Sequence, residues 1–467
     1  MAKKTKGENR TLLNFFTLTI TILFSILFVI FNSNSLALSI ILICNACITC
    51  FDLSFSLKHK VITIDLVYWI FNFLFFIIAV ITQMNEIFFP NTLPVSSDAI
   101  LTGQLYLFIW NFVYFITRNK KVIIPISKSN ININNRIANI YFYTSTFLVF
   151  YIFLKNGFQF FLGNGSIING DPSEPVSVLI TSVVNSIVFA NFVFQFSKRE
   201  KGNFVNKLLI VIAFIELTYI NSPFNTSRFY LGFLIIFFIW YFYRHLISSY
   251  VFSFILLVGV AVIFPFLDLF RYGFETKLKF SWNNTVEQFN QLHFDAFSNF
   301  LASIEYVERY GILFGENILG SFLFFIPRGV WNNKPEGSGT RIGDYLIENY
   351  SLNFNNLSNP LISEFYLGFG LIGILMGAFL LATFINQIEQ KLNNHLFVEI
   401  FYGILMSYLF FLLRGSLIVA VASIVATTLF MVIIPRLFMK RYKDKSILFN
   451  SVNYDHEKKI AVLKDGS

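Results

Sequence analysis

The chain runs to 467 residues, of which 55% are hydrophobic, 19% aromatic and only 13% charged, and its mean hydropathy is +0.65. Such a composition buries its side chains in lipid and excludes a water-soluble globular core. The formal net charge of +9 belongs to membrane topology and anionic lipid, not to a nucleic-acid partner, since no Gly-rich phosphate loop, zinc-type spacing or helix–turn–helix pattern accompanies it.

Apolar runs of roughly 20 residues, enough to cross a bilayer as a helix, recur along the chain. They fall at about 11–31, 35–57, 62–82, 99–117, 139–155, 175–197, 207–221, 228–243, 248–270, 361–384, 397–413 and 416–435. This predicts an all-α, polytopic integral membrane protein of about twelve transmembrane helices, since a β-barrel would show alternating strands of about ten residues instead. The first run lacks a small-residue cleavage site and reads as a true first span.

Most of the 35 Lys and Arg lie at alternating ends of these spans: in the first ten residues, at Lys58 and Lys60, over Arg118–Arg136 and Lys198–Lys207, at Arg244 and Lys391, and from Arg436 onward. The positive-inside rule places these segments, and both termini, in the cytoplasm. An even number of crossings follows. The chain then divides into a membrane bundle at 1–270 (about nine helices), a large external loop at 271–360, a C-terminal membrane segment at 361–436 (about three helices) and a cytoplasmic tail at 437–467.

Cys44, Cys47 and Cys50 sit three apart inside the second span. They lack a fourth ligand and an oxidising aqueous setting, so they read as small packing residues. The five His are scattered without ligand spacing, and neither a protein-bound metal nor a cofactor is expected. Asp52 and Asp65 lie beside Lys58 and Lys60, which predicts local pairing. Glu216, toward the outer end of its span, and Arg228, at the start of the next, predict an ion pair, or alternatively an Arg228 that lines an outward cavity and contacts a lipid-linked substrate.

Ten basic residues are left unexplained by topology: Lys155, Arg228, Arg271, Lys277, Lys279, Arg309, Arg328, Lys334, Arg341 and Arg414. Most lie in the external loop, where carboxylates outnumber them, so an anion there must be held by a few placed residues. Arg supplies a planar fork suited to phosphate. Gly311–Pro327 is apolar but broken by Gly315, Glu316 and Gly320, and is expected to lie in the interface or dip into the membrane from outside. It is followed by Arg328, Trp331, Lys334, Pro335, Gly337, Ser338, Gly339 and Arg341, a compact polar turn whose backbone N–H groups suit a diphosphate or sugar hydroxyls.

Four segments, Pro265–Gly273 (PFLDLFRYG), His293–Phe297 (HFDAF), Ile326–Gly339 (IPRGVWNNKPEGSG) and Ser363–Gly370 (SEFYLGFG), resemble bacterial oligosaccharide repeat-unit polymerases, the Wzy class of O-antigen and capsule polymerases. The resemblance covers the last half of the chain at the level of motifs and their order around one external loop. It implies a GT-C-like glycosyltransferase architecture in the bacterial cytoplasmic (inner) membrane, with the loop in the periplasm. The implied activity transfers a growing glycan from undecaprenyl diphosphate onto a newly flipped, lipid-linked repeat unit, without nucleotide sugar or metal. Membrane lipid, a chain-length regulator and a flippase are the implied partners.

Within that chemistry, a leaving diphosphate calls for preorganised cations: Arg271 and Arg328 first, then Lys334 and Arg341. The acceptor hydroxyl must lose a proton, for which Asp295, His293 and Glu364 are candidates. Asp268, three residues before Arg271, would orient it. Trp331, Tyr272 and Tyr366 offer faces for sugar stacking, although packing explains any one aromatic equally well. A loop carboxylate serves equally as base or as sugar ligand, and the sequence leaves that open. An O-antigen ligase shares the architecture and is the nearest alternative. A flippase for lipid-linked repeat units is the alternative of another class, but no internal repeat supports it.

Overall fold

The computed structural model describes residues 35–58, 61–85, 89–90, 95–119, 135–163, 167, 175–199, 203–224, 226–260, 288–392 and 396–438. Among these residues all regular structure is helical. The helices before the loop are α1 (Leu36–Lys58), α2 (Ile64–Asn72, continuing through a π-turn at Phe73–Ile78 into Ala79–Asn85), α3 (Ser97–Thr117), α4 (Asn135–Asn156), α5 (Pro175–Phe196), α6 (Phe204–Ile220), α7 (Arg228–Tyr243) and α8 (Ser249–Val258). The loop contributes α9 (Ala296–Tyr310), α10 (Glu316–Phe322) and α11 (Ser338–Tyr350). The chain closes with α12 (Leu361–Lys391), α13 (Leu396–Arg414) and α14 (Leu417–Thr428), the last running on through a π-turn.

Eight of these helices are long and apolar enough to cross a membrane, which makes the chain an all-α polytopic membrane protein. Phe229–Tyr243 and Ser249–Val258 are apolar but shorter. The expected span at 11–31, and the end of that at 248–270, lie outside the described residues. Ser and Thr start the helices where the sequence offers them. The side chains of Thr63, Ser96, Ser227 and Ser248 accept from Leu66 N, Ala99 N, Tyr230 N and Val251 N, satisfying donors that a helix N-terminus leaves open. Aromatic rings fill the interior: Tyr68 stacks on Tyr114 at 3.9 Å and Phe233 on Tyr408 at 3.8 Å.

Ion pairs tie the helix ends together. At one end Arg118, which caps α3, meets Asp65 in the first turn of α2 at 2.6 Å and Glu389 in the last turn of α12 at 2.7 Å. Tyr402 of α13 donates to Glu389 (3.0 Å) and accepts from Ile64 N (2.9 Å). Asp65 thus pairs with Arg118 across helices; of the neighbouring lysines that its sequence position suggests, Lys60 lies outside the described residues. The first turn of α2 faces the end of α3, and Tyr114 adds a second donor at 2.7 Å. Arg244 pairs with Glu399 at the same end. In α6, Glu216 accepts from Ser145 (2.5 Å) and Thr146 (2.6 Å) of α4 and from Asn191 (3.0 Å) of α5. Neutral donors surround that carboxylate; the expected pair with Arg228 falls on a side chain outside the described residues.

The opposite end carries the loop. α9 is buried from Ala296 through Ile304, and Phe297 and Leu301 press against Gly103 of α3. Within Gly311–Pro327, the segment expected to lie in the interface or dip into the membrane, the short helix α10 packs on α12 and α14. α10 turns Asn317, Gly320 and Ser321 inward, while Leu319 and Phe322 are exposed, as is Phe325 just beyond it. One backbone break shapes this end. Gly370 inside α12 has φ 60° and ψ −141°, a conformation that only glycine adopts freely. The chain folds back there, bringing the Phe365 carbonyl so close that a Cβ on Gly373 would stand 1.9 Å from it. The carbonyls of Leu367 and Gly368, which would otherwise serve the helix, accept from Leu313 N (2.7 Å) and Gly315 N (3.1 Å) of the loop. Residues 371–391 remain as a segment long enough to span, and residues 361–369 become a half-helix that docks the loop.

Candidate functional site

The segment after Pro327 is a chain of tight turns. Val330 N and Trp331 N donate to the Pro327 carbonyl (3.0 and 3.1 Å), and Lys334 N donates to Trp331 O (3.0 Å). The Lys334 side chain is buried inside these turns, its ammonium donating to the carbonyls of Phe324 (2.7 Å) and Ile326 (2.9 Å). Burial and neighbouring Arg328 hold it below its ordinary pKa. Arg328 is the opposite case: its side chain is half exposed, 3.8 Å from the equally exposed Glu336.

Gly337 then starts α11 without a side-chain cap, and the first helical bond is Arg341 N to Gly337 O at 3.1 Å. The leading N–H groups of such a helix have no intrahelical acceptor and carry partial positive charge. Gly339 is required by contact, since a Cβ there would stand 2.0 Å from the Leu357 carbonyl oxygen.

These pieces border a cavity of about 590 Å³. Arg328, Lys334, Glu336, Gly337 and Thr340 form one wall; Ser416, which precedes α14, and Ile418, Val419 and Ala422 of α14 form another. One side therefore offers two cations and a helix N-terminus. The other is the apolar flank of a helix long enough to cross the membrane.

Behind the cavity lies a buried polar network. Glu364, 1% exposed, accepts from Ser338 Oγ (2.5 Å) and Leu417 N (3.4 Å) on one carboxylate oxygen and from Asn317 Nδ2 (2.8 Å) on the other. It thereby fixes the starts of α11, α14 and α10 to one another. Asn359 donates to Ser338 Oγ (3.0 Å) and accepts from Ser303 (3.2 Å). Ser303 in turn donates to the Asn299 carbonyl (2.8 Å), and the Asn299 amide reaches Asp295 (3.0 Å). Asp295 forms a buried ion pair with Arg414 at 2.8 Å, and Arg414 also donates to Leu292 O (2.7 Å) while lying 4.8 Å over the Phe229 ring.

The expected residues thus separate into groups. Arg328, Lys334 and Gly337 border the cavity, and Ser338 and Gly339 stand in the turn of helix beside it. Trp331 is half-buried in the preceding turns. Asp295 and Glu364, expected as base candidates, are enclosed behind the wall with their oxygens already hydrogen-bonded. His293 is half-buried in a single 3-10 turn beside Asp295. Tyr366, expected to stack on sugar, packs instead on Tyr106 (5.3 Å) and Phe300 (6.1 Å) within the bundle. Arg341 lines a second, separate cleft. Asp268, Arg271 and Tyr272 lie outside the described residues, as does the Arg228 side chain.

Arg414, Asn317, Asn359 and the α14 wall were not singled out as site residues. Arg414 carried a signal, being a basic residue at the loop end of a span, where topology does not call for one. The amides carried none, because Asn is common in this chain's loops. Fold and site together define a polytopic α-helical membrane protein whose loop end carries a half-polar, half-apolar cavity. No family model matches the chain, and no curated protein and no solved structure matches it either.

Proposed function

We propose that this protein is a glycosyltransferase of GT-C-like architecture that polymerises undecaprenyl-diphosphate-linked oligosaccharide repeat units for O-antigen or capsule. It works at the outer face of the bacterial cytoplasmic membrane, with about twelve crossings and both termini inside. One observation carries the reading: cations, a helix N-terminus and the apolar flank of α14 meet in one cavity. That combination suits an amphiphile whose anionic head and hydrocarbon chain are joined, which is the chemistry of a lipid diphosphate.

In the reaction, an acceptor hydroxyl oxygen forms a bond to the anomeric carbon of the growing chain. The bond from that carbon to the diphosphate oxygen breaks, and the electron pair leaves with the diphosphate. Arg328 and the leading N–H groups of α11 stabilise the charge that grows on this leaving group, and the Lys334 ammonium, bonded to the Phe324 and Ile326 carbonyls, holds the turns that carry Arg328. Glu336 is the carboxylate bordering the cavity, so it takes the hydroxyl proton. Asp295 and Glu364 act as positioning residues, the former through Arg414 and the latter through Ser338.

Deleting the gene and sizing the surface polysaccharide tests the proposal. Single repeat units on the surface support a polymerase. An unchanged ladder refutes it, bare core with long lipid-linked chains indicates a ligase, and bare core without them indicates a flippase. Arg328→Ala should abolish polymer at normal protein level; a full ladder from that variant removes Arg328 from the reaction.

A further inference from the structure

The second cleft, about 330 Å³, shares one lining residue with the cavity, Glu336. It is built where α9 crosses α11. Tyr306 and Tyr310 of α9 lie 5.0 Å apart, and each meets Tyr345 of α11 edge-on, at 5.7 and 6.0 Å. Asp344 and Glu348 of α11 join Glu336 on its polar side, and Arg341 is its one basic residue.

The two spaces differ in charge. Three carboxylates against one guanidinium disfavour a second diphosphate in the cleft. Carboxylates that accept from hydroxyls, set beside aromatic rings that pack against C–H faces, instead suit a neutral or amino-bearing sugar. Tyr310 is 60% exposed, so its ring is available from outside. Burial and the adjacent Glu305 push the Tyr345 phenol above its ordinary pKa, so it stays neutral. Asp344 is held in place by the Asn355 amide at 2.8 Å.

Resting on the polymerase reading, we infer that this tyrosine–carboxylate cleft is the acceptor-sugar subsite, which presents the attacking hydroxyl to Glu336 while the donor diphosphate occupies the cavity beyond. The diphosphate of either lipid-linked substrate is drawn to Arg328 and repelled by the cleft, which leaves the cleft to the sugar end of the acceptor. The shared carboxylate marks the point where the new bond forms.

The test uses the full chain in nanodiscs and, as probe, the oligosaccharide released by mild acid from the lipid-linked repeat unit of the host strain, which carries no diphosphate. Saturation-transfer NMR reads its binding. Wild type and Arg328→Ala should bind it alike, whereas Tyr310→Ala and Asp344→Asn should each weaken it about tenfold, equivalent to about 1.4 kcal/mol. In transfer assays the same two variants should raise the acceptor KM and leave kcat within about twofold. Equal binding by wild type, Tyr310→Ala and Asp344→Asn overturns the subsite, as does no binding by wild type. Either result leaves the polymerase reading standing if the deletion strain still shows single repeat units. An unchanged ladder in that strain removes the reading and the subsite together.

Discussion

The two ends of the bundle hold charge in opposite ways. Around Arg118 the cluster is closed: the side chains of Arg118 and Glu389 are 3% and 2% exposed, and Asp65 is 19% exposed. Each carboxylate there meets the guanidinium and a tyrosine hydroxyl. At the loop end the closed part, Arg414 with Asp295 and Glu364 with Ser338, stands behind an open part in which the Arg328 and Glu336 side chains are about half exposed. The same helices run through both ends, since α2, α3, α12 and α13 each contribute to one and reach the other. The difference is therefore not stability of the scaffold. It is that one end spends its charges on joining helices, while the other also leaves charges facing space that a ligand can fill.

Breaking the closed cluster should give the largest effect on folding. Arg118→Ala would leave Asp65 and Glu389 without their shared cation, and removal of one partner from a buried pair costs about 3–5 kcal/mol. The expected outcome is little folded protein in the membrane and a sharp drop in Tm in detergent. Arg328→Ala should do the reverse, with Tm nearly unchanged, because exposed pairs contribute only about 0–1 kcal/mol, but with transfer abolished. Equal losses of Tm in the two variants would erase the contrast between the ends.

The contrast was only partly legible beforehand. Of about twelve expected spans, eight are helices long and apolar enough to cross among the described residues, because lipid demands long continuous apolar runs; 228–243 coincides with α7, which is apolar but shorter. The loop was harder. Ala296–Ile304 mixes Ser and Asn with Phe and Leu, and no run marks it as buried, yet its polar groups are satisfied inside the bundle by Asp295, Ser358 and Asn359. Pairing over long distances was not readable at all. Asp65 has Lys58 and Lys60 nearby in sequence, but takes Arg118, and Asp295 takes Arg414. Local spacing decides which residues share a helix face; it does not decide which helices meet.

The hinge of the loop end offers a smaller, sharper test. Gly370→Ala forces a side chain into a positive-φ conformation, which costs about 1–3 kcal/mol. It should lower Tm and expose the 313–315 segment, whose N–H groups dock on Leu367 and Gly368, to hydrogen exchange. The Arg118 end should keep its protection. Loss of protection at both ends would mean that the bundle melts as one unit and the half-helix is no separate hinge.

The smallest expected effect concerns the link between the closed and open parts. Ser338 stands at the first turn of α11 and donates to Glu364, while accepting from Asn359. Ser338→Ala removes that donor, but Glu364 keeps Asn317 and Leu417 N, so the loss is about 1 kcal/mol. Its consequence for transfer should exceed its consequence for Tm. Gly337 and Thr340 at this helix start border the cavity, and a slight shift of the start would move its leading N–H groups relative to the proposed leaving diphosphate. A Ser338→Ala variant with kcat down tenfold or more and Tm within a few degrees of wild type would show that Glu364 works through placement of α11. A variant with normal kcat would confine Glu364 to holding helices together, as Glu389 does at the other end.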